Sequence, residues 1–158
     1  MDKSLNILNE LLVDTFNDIL EIEQMALQSG AFNDLSVTEI HTIDAIGMYE
    51  LKSMSEVAGK LDITVGTLTT AINHLVRKQY VERMRNEEDR RVVQIKLTKK
   101  GKLAYRIHEK FHHDMVLATI EGLSHEEEVV LVRSLDKLNN FFKEKYHLKG
   151  SKKEIKNE

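Results

Sequence analysis

The sequence contains no cysteine, no proline and no tryptophan. Without cysteine there are no disulfides, thiolate metal sites or thiol-based redox sensors, which suits a reducing compartment. Without proline the strongest helix breaker is gone, so long uninterrupted helices and a mostly α chain are expected. Long apolar runs are also missing: no segment approaches the roughly 20 residues of a membrane span, and Met1-Asp2-Lys3-Ser4 lacks a basic-then-apolar signal profile. A cytoplasmic protein with no membrane association is expected. No glycine-rich phosphate loop occurs, no Ser nucleophile sits beside a base-bearing motif, and the carboxylates are spread over helix surfaces. Neither an enzyme nor a cofactor is expected.

What the sequence does have is unevenly distributed charge. The net charge of −3 hides one Lys against ten Asp or Glu in residues 1–50, and ten Lys or Arg against four acids in residues 77–102. Such segregation lets one face approach DNA phosphates while an acidic face points away, although a solvated charge run would look the same.

Apolar spacing predicts the elements. Leu5, Leu8, Leu12, Phe16, Ile19, Met25 and Ala26 recur at helical intervals, and Gly30 follows as a stop. Ser36 with Glu39, Ser53 with Glu56 and Ser124 with Glu127 have capping-box spacing and open helices over about 36–48, 54–61 and 125 onward, the last through Val130, Leu131, Leu135, Leu138 and Phe142. Thr64 caps a further helix whose expected buried stripe is Val65, Leu68, Ile72 and Leu75. Val81 and Arg83, then Val93, Ile95 and Leu97, alternate as a β-hairpin, and Thr98 caps a long helix from Lys99 to about Glu121. The order is four helices, a hairpin and two helices, in one folding unit over residues 1–147 followed by a charged tail over 148–158.

Two short helices meeting at Asp62-Ile63-Thr64 have the form of a helix-turn-helix, whose second helix can lie in the major groove. The polar face of that helix carries Gly66, Thr67, Thr69, Thr70, Asn73, His74 and Arg77, small donors and acceptors suited to phosphates and base edges. An ordinary amphipathic helix is the plain alternative, yet threonine is a poor helix former. The hairpin tip adds Asp89, Arg90 and Arg91, with arginines able to reach a minor groove and Asp89 able to orient a neighbouring guanidinium.

The run Asp89-Arg90-Arg91-Val92-Val93-Gln94-Ile95-Lys96-Leu97-Thr98-Lys99-Lys100-Gly101 resembles the wing signature of the MarR family of winged helix-turn-helix regulators: Asp, any residue, Arg, then a strand ending in Leu-Thr and a Gly three residues on. The resemblance extends to about residue 147. It implies a homodimer entwined through helices at about 4–29 and 99–147, a winged helix-turn-helix at about 36–98, double-stranded DNA as partner, Arg91 as wing arginine supported by Asp89, and the α-helical positions above as the reading face. His41-Thr42-Ile43-Asp44-Ala45-Ile46-Gly47, Thr64 to Thr70 and the stretch from His108 to His112 resemble the fatty-acid-synthesis repressor branch, which implies acyl-acyl-carrier-protein as corepressor. A two-fold dimer implies a palindromic operator with half-sites roughly 34 Å apart.

Two other readings compete. His108 and His112, at i and i+4, could share a metal with Glu39 or His41, which would make a zinc-responsive regulator. A helical scaffold that binds only protein would account for the amphipathic helices but not for the basic hairpin. For an acyl effector, Met25, Phe32, Ile43, Met48, Phe111 and Met115 are expected to line the pocket, with core packing as the alternative for each.

Overall fold

The computed structural model describes residues 3–85, 89 and 91–148. It divides into two compact units, residues 1–106 and 107–158. In the first, α1 (Lys3–Ser29) and α2 (Val37–Ile46) precede the short strand β1 (Lys52–Ser53), α3 (Met54–Leu61), α4 (Val65–Arg77), β2 (Val81–Arg85), β3 (Val93–Leu97) and the opening turns of α5 (Lys99–Ile120). The second holds the remainder of α5 and α6 (His125–Tyr146). The described residues are thus mostly helical with a small antiparallel sheet, a winged-helix arrangement. Among them no helix is long and apolar enough to cross a membrane. The hairpin-tip residues 86–88, Arg90 and the tail 149–158 lie outside the described residues.

Local chemistry starts each helix. At Ser36, Ser53 and Ser124 the hydroxyl accepts the N–H of Glu39, Glu56 and Glu127 at 3.2, 3.2 and 3.4 Å, and each glutamate carboxylate accepts the serine N–H in return. Thr64 accepts the N–H of Thr67 at 3.1 Å and opens α4. Between α3 and α4 the chain reverses through Asp62, which is left-handed at φ 54° and donates its N–H to the last carbonyls of α3. Aspartate tolerates that region better than most residues, so a three-residue turn suffices.

The sheet order is β1-β3-β2, with β3 antiparallel to both neighbours. The β1 strand was not expected. At two residues it is too short to show alternation, and Ser53 serves both as partner of Gln94 and as the cap of α3. In the core of the first unit Ile40, Ile43, Ile46, Val57, Leu68, Ile72, Leu75, Tyr80, Val81, Ile95 and Leu97 are buried together. Val65 departs from the expected stripe: it begins α4 and is 45% exposed, one turn short of the core that Leu68 enters.

Gly101 shows why the wing run ends as it does. Thr98 pairs its N–H with the Tyr80 carbonyl at 3.0 Å, while its hydroxyl accepts the N–H of Gly101 at 3.1 Å. This draws the first turn of α5 so close to the strand that a Cβ on Gly101 would lie 2.1 Å from the Tyr80 oxygen. Only glycine fits that approach.

Candidate nucleic-acid interface

The two faces of α4 differ in kind. Leu68, Ile72 and Leu75 are fully buried, whereas Gly66, Thr67, Thr70, Asn73, His74 and Arg77 are exposed on the opposite side. Thr69 is half-buried, and its hydroxyl donates back to the Val65 carbonyl at 2.8 Å, so its methyl is the part left to offer. Thr67, Thr70 and His74 share an open groove of about 580 Å³ with Ser36, Thr38, Glu39, Ala71 and Lys78. A neighbouring depression of about 300 Å³ is lined by His74, Arg77 and Lys78. The first turn of α2 and the exposed face of α4 therefore line one groove, whose walls carry hydroxyls, the Glu39 carboxylate, His74 and Lys78.

The end of α4 is held by a network spread along the sequence. Lys78 donates to both oxygens of Glu39 at 2.8 Å and to the Asp34 carbonyl. Asp34 accepts the Tyr80 hydroxyl at 2.6 Å and has Lys100 Nζ 3.6 Å from its Oδ2. Lys100 lies 4.0 Å over the Tyr80 ring and donates to the Lys78 carbonyl at 3.0 Å, while Phe32 meets the same ring edge-on. Burial raises the pKa of the Glu39 carboxyl, but the Lys78 and Ser36 hydrogen bonds and the Lys78 charge outweigh it, leaving Glu39 below the ordinary carboxylate range. Asp34 is lowered likewise: burial opposes, and the Tyr80 hydrogen bond with Lys100 and Lys78 prevails. Burial, then the hydrogen bond to Asp34, pushes the Tyr80 hydroxyl far up. Asp34, Lys78, Tyr80 and Lys100 were not singled out from the sequence, since no local spacing marks pairs 39 and 46 residues apart.

In the wing, Asp89 Oδ1 accepts the backbone N–H of Arg91 at 3.0 Å and its carbonyl accepts the N–H of Val92 at 2.9 Å. The aspartate thus shapes the turn that carries Arg91, which is exposed. Arg90 lies outside the described residues. At the base of the wing Arg83 donates from Nη2 to Asn73 Oδ1 at 2.6 Å, a direct link between β2 and α4 that sequence spacing did not reveal.

The remaining candidates fall in both units. Phe32 and Ile43 belong to the buried core of the first unit, Met48 is half-buried and Met25 is 53% exposed. Phe111 and Met115, both half-buried, fall in the second unit, where Phe111 stacks on His108 with ring centroids 6.4 Å apart. His41 Nε2 lies 2.8 Å from Oε1 of buried Glu23, a partner not foreseen. His108 and His112 bring their Nε2 atoms within 3.1 Å, a distance that one donor and one acceptor tautomer satisfy. Glu39, weighed as a metal ligand, instead receives Lys78 and the Ser36 N–H.

Comparison with known proteins agrees with this geometry. The MarR family model matches residues 35–93. The crystal structure of Streptococcus pneumoniae FabT in complex with DNA is 44% identical, covers 89% of this chain and 98% of its own, and superposes with a TM-score of 0.84. The chain belongs to the MarR family. Membership makes it a DNA-binding transcriptional regulator by class, not an enzyme. A MarR family protein from Bacillus stearothermophilus, 21% identical over 90% of this chain and 98% of its own, shares the fold with a TM-score of 0.73. The HTH-type transcriptional regulator PchR of Bacillus subtilis is 27% identical over 108 residues, 66% of this chain; the chain spans 64% of PchR's length.

Proposed function

We propose that this MarR-family chain is a cytoplasmic repressor that acts as a homodimer on a palindromic operator, with α4 in the major groove and Arg91 in the adjacent minor groove. The observation that carries this reading is the exposed polar face of α4, backed by a fully buried apolar stripe and followed by a wing turn that presents Arg91. Residues 1–147 act as one MarR-like unit, and the apolar residues exposed on α1, α5 and α6 provide the dimer interface. The likeness to FabT, solved on DNA, supports the duplex as partner. Selection of random duplexes of about 30 base pairs at near-physiological salt tests it. Enrichment of an inverted repeat with half-sites about one turn apart is expected, and enrichment of nothing would favour a protein-binding scaffold.

The finer reading places the protein in the fatty-acid-synthesis repressor branch, with acyl-acyl-carrier-protein as corepressor. Its support is the resemblance of the segments at His41–Gly47 and Thr64–Thr70 together with the 44% identity to FabT. Titrating long-chain acyl-acyl-carrier-protein into the operator complex should tighten it. An unchanged affinity would remove the corepressor while leaving the operator in place.

A further inference from the structure

Arg83 occupies an unusual place in the sheet. Directly paired residues share a face, and Val81 opposite Leu97, then Arg83 opposite Ile95, lie on the face whose other members are buried core. As β2 leaves the core, the position after Val81 on that face is an arginine, and its guanidinium, though exposed, reaches α4. There it donates to Asn73 Oδ1 at 2.6 Å, a short charge-assisted bond. Asn73 lies in the middle of the exposed face of α4, one turn after Thr69 and Thr70 and one before Arg77.

A carboxamide offers an acceptor oxygen and two N–H donors. Reading adenine in the major groove uses both ends at once, the oxygen accepting from N6 and the nitrogen donating to N7. With Oδ1 turned toward Arg83 and one of its lone pairs engaged by a positive charge, Nδ2 is the end of the amide directed away from Arg83. We propose that Arg83 is a specificity-determining residue that acts through Asn73: by holding Oδ1 it makes Asn73 a hydrogen-bond donor toward a guanine or thymine acceptor in each half-site. This rests on the reading of α4 as the recognition helix. It assigns to a wing-strand arginine a role in base choice through α4 in the major groove, distinct from the minor-groove role proposed for Arg91.

Operator selection on five full-length proteins tests it: wild type, Arg83→Met, Arg83→Lys, Asn73→Ala and the double variant of Arg83→Met with Asn73→Ala. In the wild type, guanine or thymine should dominate at one symmetric position of each half-site. Arg83→Met, which keeps the apolar stem, should let adenine into that position and reduce discrimination there on the order of tenfold, with the other positions unchanged. Arg83→Lys should restore part of the preference. In the Asn73→Ala background the Arg83 substitution should no longer change base choice. The proposal is overturned if Arg83→Met weakens all duplexes alike with base preferences intact, or if it shifts base choice equally with and without Asn73. A wild-type protein that enriches no site would instead overturn the DNA-reading function on which the proposal stands.

Discussion

Amphipathic helices behave differently in two regions of this molecule. In α4, a 13-residue helix, Leu68, Ile72 and Leu75 are fully hidden by α2, α3 and the sheet of the same chain. In α6, 22 residues long, none is buried, and Val130, Val132 and Leu135 remain more than half exposed. The 27-residue α1 is close to α6 in this respect: it buries Glu23 and Leu27, while Leu5, Leu8, Leu11, Phe16 and Leu20 are each more than half exposed. The winged helix therefore has its core within one chain, whereas the long helices carry apolar surface that one chain does not cover. Water penalises such surface, which supports the homodimer proposed above.

Breaking the second region should have the largest effect. Leu135→Asp puts a charge on the apolar face of α6 and should raise the dimer dissociation constant by at least ~100-fold, about 3 kcal/mol, as read by sedimentation equilibrium. The amide spectrum of the winged helix should persist, which would separate the two regions; its collapse would join them. Gly101→Ala acts on the first region. With 2.1 Å between the new Cβ and the Tyr80 carbonyl, the strand and α5 must part, and urea unfolding should show a loss of about 3 kcal/mol.

Arg91→Ala sharpens the contrast between reading DNA and holding the fold. Operator affinity should fall by about 1–3 kcal/mol with dimerisation unchanged, as measured by fluorescence anisotropy and sedimentation. Glu39→Gln should have the smallest effect, roughly 1–2 kcal/mol of stability from the weakened grip on Lys78. Its pH dependence carries the sign. Because the folded pKa of Glu39 is depressed, its contribution is fully present above the ordinary carboxylate range and is lost as pH falls through the folded value. The stability gap between wild type and variant should thus close on acidification; a gap unchanged down to acid pH would show that the carboxylate charge contributes nothing.

The same comparison explains what was legible in the sequence. Helix starts depend on residues three apart, so Ser36, Ser53, Ser124 and Thr64 announced them, and the polar face of α4 followed from its period. The wing run was recognisable as a pattern, but the reason for Gly101 lies in the Tyr80 carbonyl, 21 positions earlier, and only the fold brings the two together. Lys52–Ser53 was too short to register as a strand. Contacts between distant side chains left no periodic trace, which is why Lys78 with Glu39, Arg83 with Asn73 and Glu23 with His41 emerged only in three dimensions. Periodicity showed that α1 and α6 had apolar faces; it could not show whether those faces turn inward or toward another chain.

The most direct test of a two-fold clamp is to take the selected operator and insert about 5 base pairs between its half-sites, half a helical turn. Two recognition helices fixed by one dimer cannot then both reach the same side of the duplex, and affinity should fall to that of a single half-site. Affinity unchanged by the insertion would contradict the dimer as the DNA-reading unit.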